Sequence, residues 1–89
     1  MFRLWGKCFK DNRMINDYVY ECDDASLNRT KMVFNGLEDI CKYFDISVPM
    51  WLDCNINDFK RLSKTRFYSD NFVEQVEFDY LEIYVIEEM

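Results

Sequence analysis

The final stretch of the chain, residues 78–86, constrains the fold most because β-branched and aromatic residues fill it without a Gly or Pro. Its apolar side chains alternate onto two faces, Leu81, Ile83 and Val85 on one and Tyr80, Tyr84 and Ile86 on the other. Glu82 is the only charge between Tyr80 and Ile86. A strand that is apolar on both faces has neighbours on both sides and a layer packed on at least one face. The stretch therefore predicts a central strand of a sheet.

The composition predicts one folded domain over residues 1–89. Apolar residues make up 49% of the chain, and 8 Phe, 6 Tyr and 2 Trp provide bulky side chains for the core of a short domain. Only 2 Gly and 1 Pro are present, which argues against a linker or a low-complexity segment.

The first half of the chain predicts a hairpin followed by the main helix. Residues 2–10 and 14–22 alternate as strands around an Asp-Asn turn, so they are expected to pair antiparallel. Residues 23–26 offer helix-capping side chains, and the stretch from residue 27 or 28 to 44 has the apolar spacing of an amphipathic helix. Gly36 inside this helix costs about 1 kcal/mol relative to Ala, which indicates close packing on the sheet.

The second half predicts shorter elements. They are a short edge strand at 50–52, a helix from a cap at 55–58 through 63, a strand at 65–68, a turn at 69–71 and a final strand from 76. The prediction is a single α+β domain in which one main helix packs across a mostly antiparallel sheet. We favour the β-grasp (ubiquitin-like) order, with the final strand central beside the first, over a generic α+β sandwich.

The charge and the hydropathy pattern predict a cytoplasmic protein. The net charge of −6 disfavours nonspecific binding to nucleic acid or to an anionic membrane. The N-terminus has no long apolar run after its basic residues, and no stretch reaches the roughly 18–20 apolar residues that span a bilayer.

The residue types argue against catalysis. The chain has no His, so the commonest general base and any Ser-His or Cys-His pair are absent, and two isolated glycines do not form a phosphate-binding loop. The adjacent carboxylates at 23–24 and 87–88 are better explained as a helix cap and a solvated tail. We predict that the protein is not an enzyme and uses no cofactor.

The cysteines are widely spaced, at Cys8, Cys22, Cys41 and Cys54. No C-x-x-C pair is present, so a zinc site is not expected. Without a secretory signal a disulfide framework is not expected either. We predict buried free thiols.

A basic segment carries the most specific binding hypothesis. Residues 58–66 have a local charge of +3, and aromatic residues flank them. The candidate binding residues are Trp51, Lys60, Arg61, Lys64, Arg66 and Tyr68. Cations beside aromatic rings can hold phosphates and stack bases, and on a helix Lys60 and Lys64 would share a face. The alternative is a solvated surface that complements the acidic segment 67–89, whose local charge is −7.

Protein–protein association is the function we favour from the sequence. Trp, Tyr and Arg dominate interface hot spots, and the candidate rings are Trp5, Tyr20, Trp51, Tyr68 and Tyr84. An edge strand at 50–52 would accept a partner strand or form a homodimer. Binding of nucleic acid or another polyanion through the basic segment is the main alternative. Mimicry of nucleic acid by the acidic segment is a third.

Four motifs carry a resemblance over the whole chain. They are FRLWGK at 2–7, PMWLD at 49–53, KTRF at 64–67 and FDYLEIYVIEE at 78–88. With these motifs the chain resembles a group of short uncharacterised proteins from Gram-positive anaerobic bacteria. The resemblance implies a bacterial cytosolic protein, but it implies no activity, cofactor or mapped site, so no functional residue is carried over.

Overall fold

Four strands and two helices build the domain. Residues 1–88 are described by the computed structural model. The elements are β1 (Phe2–Lys10), β2 (Arg13–Cys22), α1 (Arg29–Phe44), α2 (Asp53–Leu62), β3 (Lys64–Tyr68), a 3₁₀ turn (Ser69–Asn71) and β4 (Tyr80–Glu87). The predicted α+β class, the initial hairpin and the main helix are confirmed.

The sheet has the order β2-β1-β4-β3, and every neighbouring pair is antiparallel. The final strand is therefore central, as its two apolar faces predict. The favoured β-grasp order is not confirmed. The last strand lies beside the first, as that order requires, but it runs antiparallel to it, whereas these two strands are parallel in a β-grasp fold.

Local side-chain chemistry sets the turn of the hairpin and the start of α1. Asp11 and Asn12 both have positive φ, which these two residue types tolerate in a tight hairpin turn. Asn28 caps α1, because its side chain accepts a hydrogen bond from the Lys31 N–H at 2.8 Å. The prediction that residues 23–26 cap the helix is wrong, since Asp24 instead accepts hydrogen bonds from Ser26.

Helix α1 packs closely on the central strands because two glycines leave room for it. A Cβ atom on Gly6 of β1 would lie 2.5 Å from Ile40 Cγ2, and one on Gly36 would lie 2.8 Å from Leu4 Cδ2. Both distances are too short for a real contact. The interpretation of Gly36 as a close-packing position is therefore confirmed.

Two segments are irregular where strands were predicted. Residues 50–52 form no strand: Met50 bonds to Asn71 through its N–H and its carbonyl, at 2.7 and 2.8 Å, and the Leu52 N–H donates to the Asn55 side chain. The final strand begins at Tyr80 and not at 76; the preceding loop instead places Phe72 and Phe78 against the core.

The core lies between the helices and one face of the sheet. Every second residue of the central strands is buried there, including Leu4, Cys8, Leu81, Ile83 and Val85. The facing side of α1 is also buried. Neither helix in the described part of the chain has the length and apolar character needed to cross a membrane.

Candidate functional site

The basic segment is divided among separate places in the fold. Lys60 and Arg61 are exposed on α2, and Arg61 pairs with Asp58 at 3.5 Å. The expectation that Lys60 and Lys64 share a helix face is wrong. Helix α2 ends at Leu62, and Ser63, with φ of 58°, turns the chain into β3, where Lys64 lies.

Trp51 belongs largely to the margin of the core. Its ring packs edge-on against Phe34, Phe59 and Phe67, with centroid distances of 5.8, 5.6 and 5.1 Å. Trp51 and Lys60 line an apolar groove of about 330 Å³ between α1 and α2. Of the six candidate residues, only these two meet in this groove.

Lys64, Arg66 and Tyr68 alternate along β3 on the side of the sheet opposite the helices. We call this side the open face, because neither helix covers it. By strand register, the open face comprises Met14, Asp17, Val19 and Glu21 of β2, Arg3, Trp5, Lys7 and Phe9 of β1, Tyr80, Glu82, Tyr84 and Glu87 of β4, and Lys64, Arg66 and Tyr68 of β3.

The side chains of the open face form four rows across the strands. Row 1 is Glu21, Arg3 and Glu87; row 2 is Val19, Trp5, Tyr84 and Lys64; row 3 is Asp17, Lys7, Glu82 and Arg66; row 4 is Met14, Phe9, Tyr80 and Tyr68. Rows 1 and 3 are charged, and rows 2 and 4 are mostly aromatic. Charge sign alternates along both charged rows, so each neighbour attracts the next.

Row 1 forms ion pairs at the surface. The Arg3 guanidinium Nε lies 3.0 Å from the carboxylate of Glu21 and 3.3 Å from that of Glu87. The three side chains are between 43% and 51% exposed. Exposed pairs of this kind contribute little stability, roughly 0–1 kcal/mol each.

Row 3 surrounds a buried carboxylate. The Glu82 side chain is only 8% exposed, and its Oε2 lies 4.0 Å from Lys7 Nζ and 3.8 Å from Arg66 Nε. Arg66, like any guanidinium, is charged at physiological pH, and a hydrogen bond with Tyr68 raises its pKa further. Asp17, at the end of the row, accepts a hydrogen bond from Trp5 Nε1–H at 2.9 Å.

The rings of rows 2 and 4 pack together and against the cations between them. Phe9 stacks on Tyr80 with centroids 4.9 Å apart. Lys7 Nζ lies 4.1 Å from the centroid of Trp5, and Arg66 lies 4.6 Å from that of Tyr80. Both cations thus lie between an aromatic ring and a carboxylate, an arrangement that is attractive at short range.

The sequence identified some residues of this face but not their arrangement. Trp5, Tyr68 and Tyr84 were candidates from residue type alone, and all three lie on the open face. Tyr20 does not: it lies on the helix side and contacts Phe2. Lys7 was not singled out as a site residue, and Glu82 was considered only as one carboxylate of the acidic segment. The alternation in β1 and β4 was the available signal, but it does not say which residues are neighbours.

The thiols lie away from the open face. All four cysteines are free; Cys8 and Cys41 are buried, Cys22 is half-buried and Cys54 is exposed, so the prediction of buried thiols holds only in part. Burial raises the pKa of Cys8 to about 11 and that of Cys41 to about 12. Both therefore remain neutral thiols at physiological pH. Within residues 1–88, no three Cys, Asp or Glu side chains converge as a metal-binding group.

Comparison of the chain with protein-family models, with curated proteins and with solved structures gives no match in any of the three.

Proposed function

We propose that this is a non-enzymatic, cytoplasmic protein–protein interaction module that binds through its open face. The observation that carries the proposal is an aromatic sheet surface left uncovered by the helices. On it Met14, Tyr68 and Tyr84 are 47%, 48% and 37% exposed. Aromatic side chains supply large contact area at interfaces, and exposed apolar side chains bordered by polar ones mark interaction sites.

The balance of charge on the open face favours a protein partner over a polyanion. Arg3, Lys7 and Arg66 each lie within 4.0 Å of a carboxylate. A phosphate backbone would compete with those carboxylates and would be repelled by a chain of net charge −6. A protein surface offers both signs of charge and matches the alternating rows.

Two features favour the open face of the sheet, and not its edges, as the surface that binds the partner. The edge strand predicted at 50–52 is absent, so a partner cannot extend the sheet there. The sheet has two edge strands: β3 is only five residues long and carries Lys64 and Arg66, and β2 is ten residues long and carries Arg13, Asp17 and Glu21. Short or charged edges are typical of strands that do not accept another chain.

We expect a Tyr68→Ala/Tyr84→Ala double variant to lose partner binding. Truncating two exposed rings of one face removes hot-spot contacts worth about 2 kcal/mol or more in total, which corresponds to at least a tenfold loss. The measurement is quantitative mass spectrometry of proteins retained by the tagged chain from native lysate, with and without nuclease treatment.

Tyr43→Ala is the matched control, because Tyr43 is 57% exposed on α1, away from the open face. It should retain the partners that the double variant loses. Equal retention by both variants, or loss of every partner on nuclease treatment, would contradict a protein-binding open face.

Polyanion binding through the basic segment remains the second candidate function. Lys60 and Lys64 are exposed, and within residues 1–88 neither has a carboxylate within ion-pair distance. These two cations are therefore available to a phosphate.

We expect Lys60→Glu/Arg61→Glu to leave partner recovery within about twofold of the wild type, because both side chains are exposed on α2 and neither belongs to the open face. Circular dichroism should confirm that the fold survives. If the double substitution abolishes a nuclease-sensitive interaction while the fold is retained, the polyanion function replaces the protein-binding one.

A further inference from the structure

We propose that the partner of the open face is the open face of a second copy, so that the protein forms a symmetric face-to-face dimer. This inference rests on the proposed function and names its partner. It follows from the order of the strands together with the side chains in the four rows.

A two-fold axis relates the two copies. It runs parallel to the strands in the plane between the two open faces, above the midline between β1 and β4. Because the sheet order is β2-β1-β4-β3, this axis places β1 over β4 of the second copy and β2 over β3. Each row then lies over the same row of the other copy. Such an interface is isologous, so every contact occurs twice.

The charged rows are complementary in this arrangement. Arg3 lies over Glu87 of the second copy, Lys7 over its Glu82, and Asp17 over its Arg66. All three contacts join opposite charges, and symmetry repeats each of them. The open face is therefore electrostatically complementary to the open face of a second copy.

The aromatic rows also meet favourable partners. Trp5 lies over Tyr84 of the second copy, and Phe9 lies over its Tyr80. Met14 lies over Tyr68, where a thioether meets an aromatic ring. Aromatic pairs are worth about 0.5–1.5 kcal/mol beyond their buried area. Only row 2 includes a contact between an apolar and a charged side chain, Val19 over Lys64 of the second copy.

A two-fold axis perpendicular to the strands would not pair opposite charges of the two copies. A two-fold axis running across the strands, between rows 2 and 3, would place Lys64 over Arg66 of the second copy, which is repulsive. It would also place Arg3 over Phe9 and Glu82 over Tyr84, so no opposite charges would meet. The pattern of the open face thus selects the axis parallel to the strands.

Sheet twist determines which contacts are closest. Two sheets that pack face to face cross at about 30°, so contacts near the axis are kept and those at the corners diverge. The central residues are Trp5 and Lys7 of β1 and Glu82 and Tyr84 of β4. The half-buried Trp5 and Lys7 and the buried Glu82 would be removed further from water by the second copy.

The test is a charge-reversal pair measured by analytical ultracentrifugation. The wild-type protein should sediment with twice the 10.9 kDa mass of the chain at micromolar concentration. Arg3→Glu alone brings two carboxylates together at the contact with Glu87 of the second copy. Glu87→Arg alone brings two guanidinium groups together at the contact with Arg3. We expect each single variant to raise the dimer dissociation constant at least tenfold.

Mixing the two single variants should restore the dimer, because opposite charges then meet at both symmetric contacts. The restoration isolates the contact between copies, since each chain in the mixture still carries its own unfavourable neighbours. The two side chains are 43% and 45% exposed, so both variants should fold. Arg29→Glu is the control: it breaks an ion pair with Glu88 away from the open face and should leave the dimer intact.

The outcomes separate this inference from the proposed function. A wild-type chain that stays monomeric, or a dimer unaffected by both single variants, overturns the second copy as partner. A mixture of the two single variants that remains monomeric also overturns the second copy as partner. If the monomeric chain still captures a protein in a Tyr84-dependent way, the proposed function stands with a different partner.

Discussion

Replacing Asn55 with alanine is expected to lower the free energy of unfolding by about 3 kcal/mol, because several buried polar groups would lose their partners. Asn55 is 2% exposed. Its side-chain oxygen accepts hydrogen bonds from Leu52 N–H at 3.0 Å and from Asn71 Nδ2 at 2.7 Å. Its Nδ2 donates to Thr65 Oγ1 and to the Arg66 carbonyl, at 2.9 and 2.8 Å.

These bonds make Asn55 the link between the start of α2, strand β3 and the 3₁₀ turn. Each buried donor or acceptor left without a partner costs about 1–3 kcal/mol, and some of that cost is recovered if water enters the site. Urea unfolding monitored by circular dichroism measures the change.

Asn57→Ala is the matched control, since Asn57 is exposed on the same helix. It should change stability by no more than about 0.5 kcal/mol. A loss below about 1 kcal/mol for Asn55→Ala would show that the buried network does not hold these segments together.

Replacing Phe67 with alanine is expected to lower the free energy of unfolding by about 3–5 kcal/mol, the usual cost of removing a buried aromatic ring. Phe67 is fully buried on the helix side of β3, and the Trp51 ring meets it edge-on. Domains are stabilised by only about 5–15 kcal/mol, so this is a large part of the total. Denaturant unfolding followed by tryptophan fluorescence measures it, with Trp51 in contact with the lost ring.

The neighbouring residue provides the control for Phe67. Tyr68 lies on the open face and is 48% exposed, so Tyr68→Ala should cost about 1 kcal/mol or less. Equal losses for Phe67→Ala and Tyr68→Ala would contradict the assignment of the two faces of β3. The contrast also matters for the binding experiments, because it separates lost packing from lost contacts with a partner.

The contacts of Asn55 show which features a local sequence pattern predicts and which it does not. The sequence around this residue predicts a cap at 55–58 that opens a helix, but α2 begins earlier, at Asp53, so Asn55 lies inside its first turn. Its side chain accepts a hydrogen bond from the N–H of Leu52, the residue that precedes the helix, as the third residue of a capping box does. Its contacts with Thr65 and Asn71 join segments that no local pattern relates. They also hold residues near 50–52 in an irregular course instead of the predicted edge strand.

The sequence by itself determined the elements whose signals are local. Alternation over 2–10 and 80–86 marked the strands and their two faces, and the spacing of apolar residues marked α1 nearly to its bounds. The central position of β4 followed from the absence of a polar face. These properties depend on neighbouring residues along the chain, because side-chain direction repeats with the period of the strand or helix.

Only the tertiary structure decided the direction of β4 against β1, the register that gives the four rows, and the separation of Lys60 from Lys64. Alternation says that Lys7 and Glu82 avoid the core, but not that they lie side by side, since they come from near opposite ends of the chain. A shift of one residue in register would place different side chains opposite one another. Register is set by the packing of the whole sheet on α1 and α2, and the open face exists only once that packing is complete.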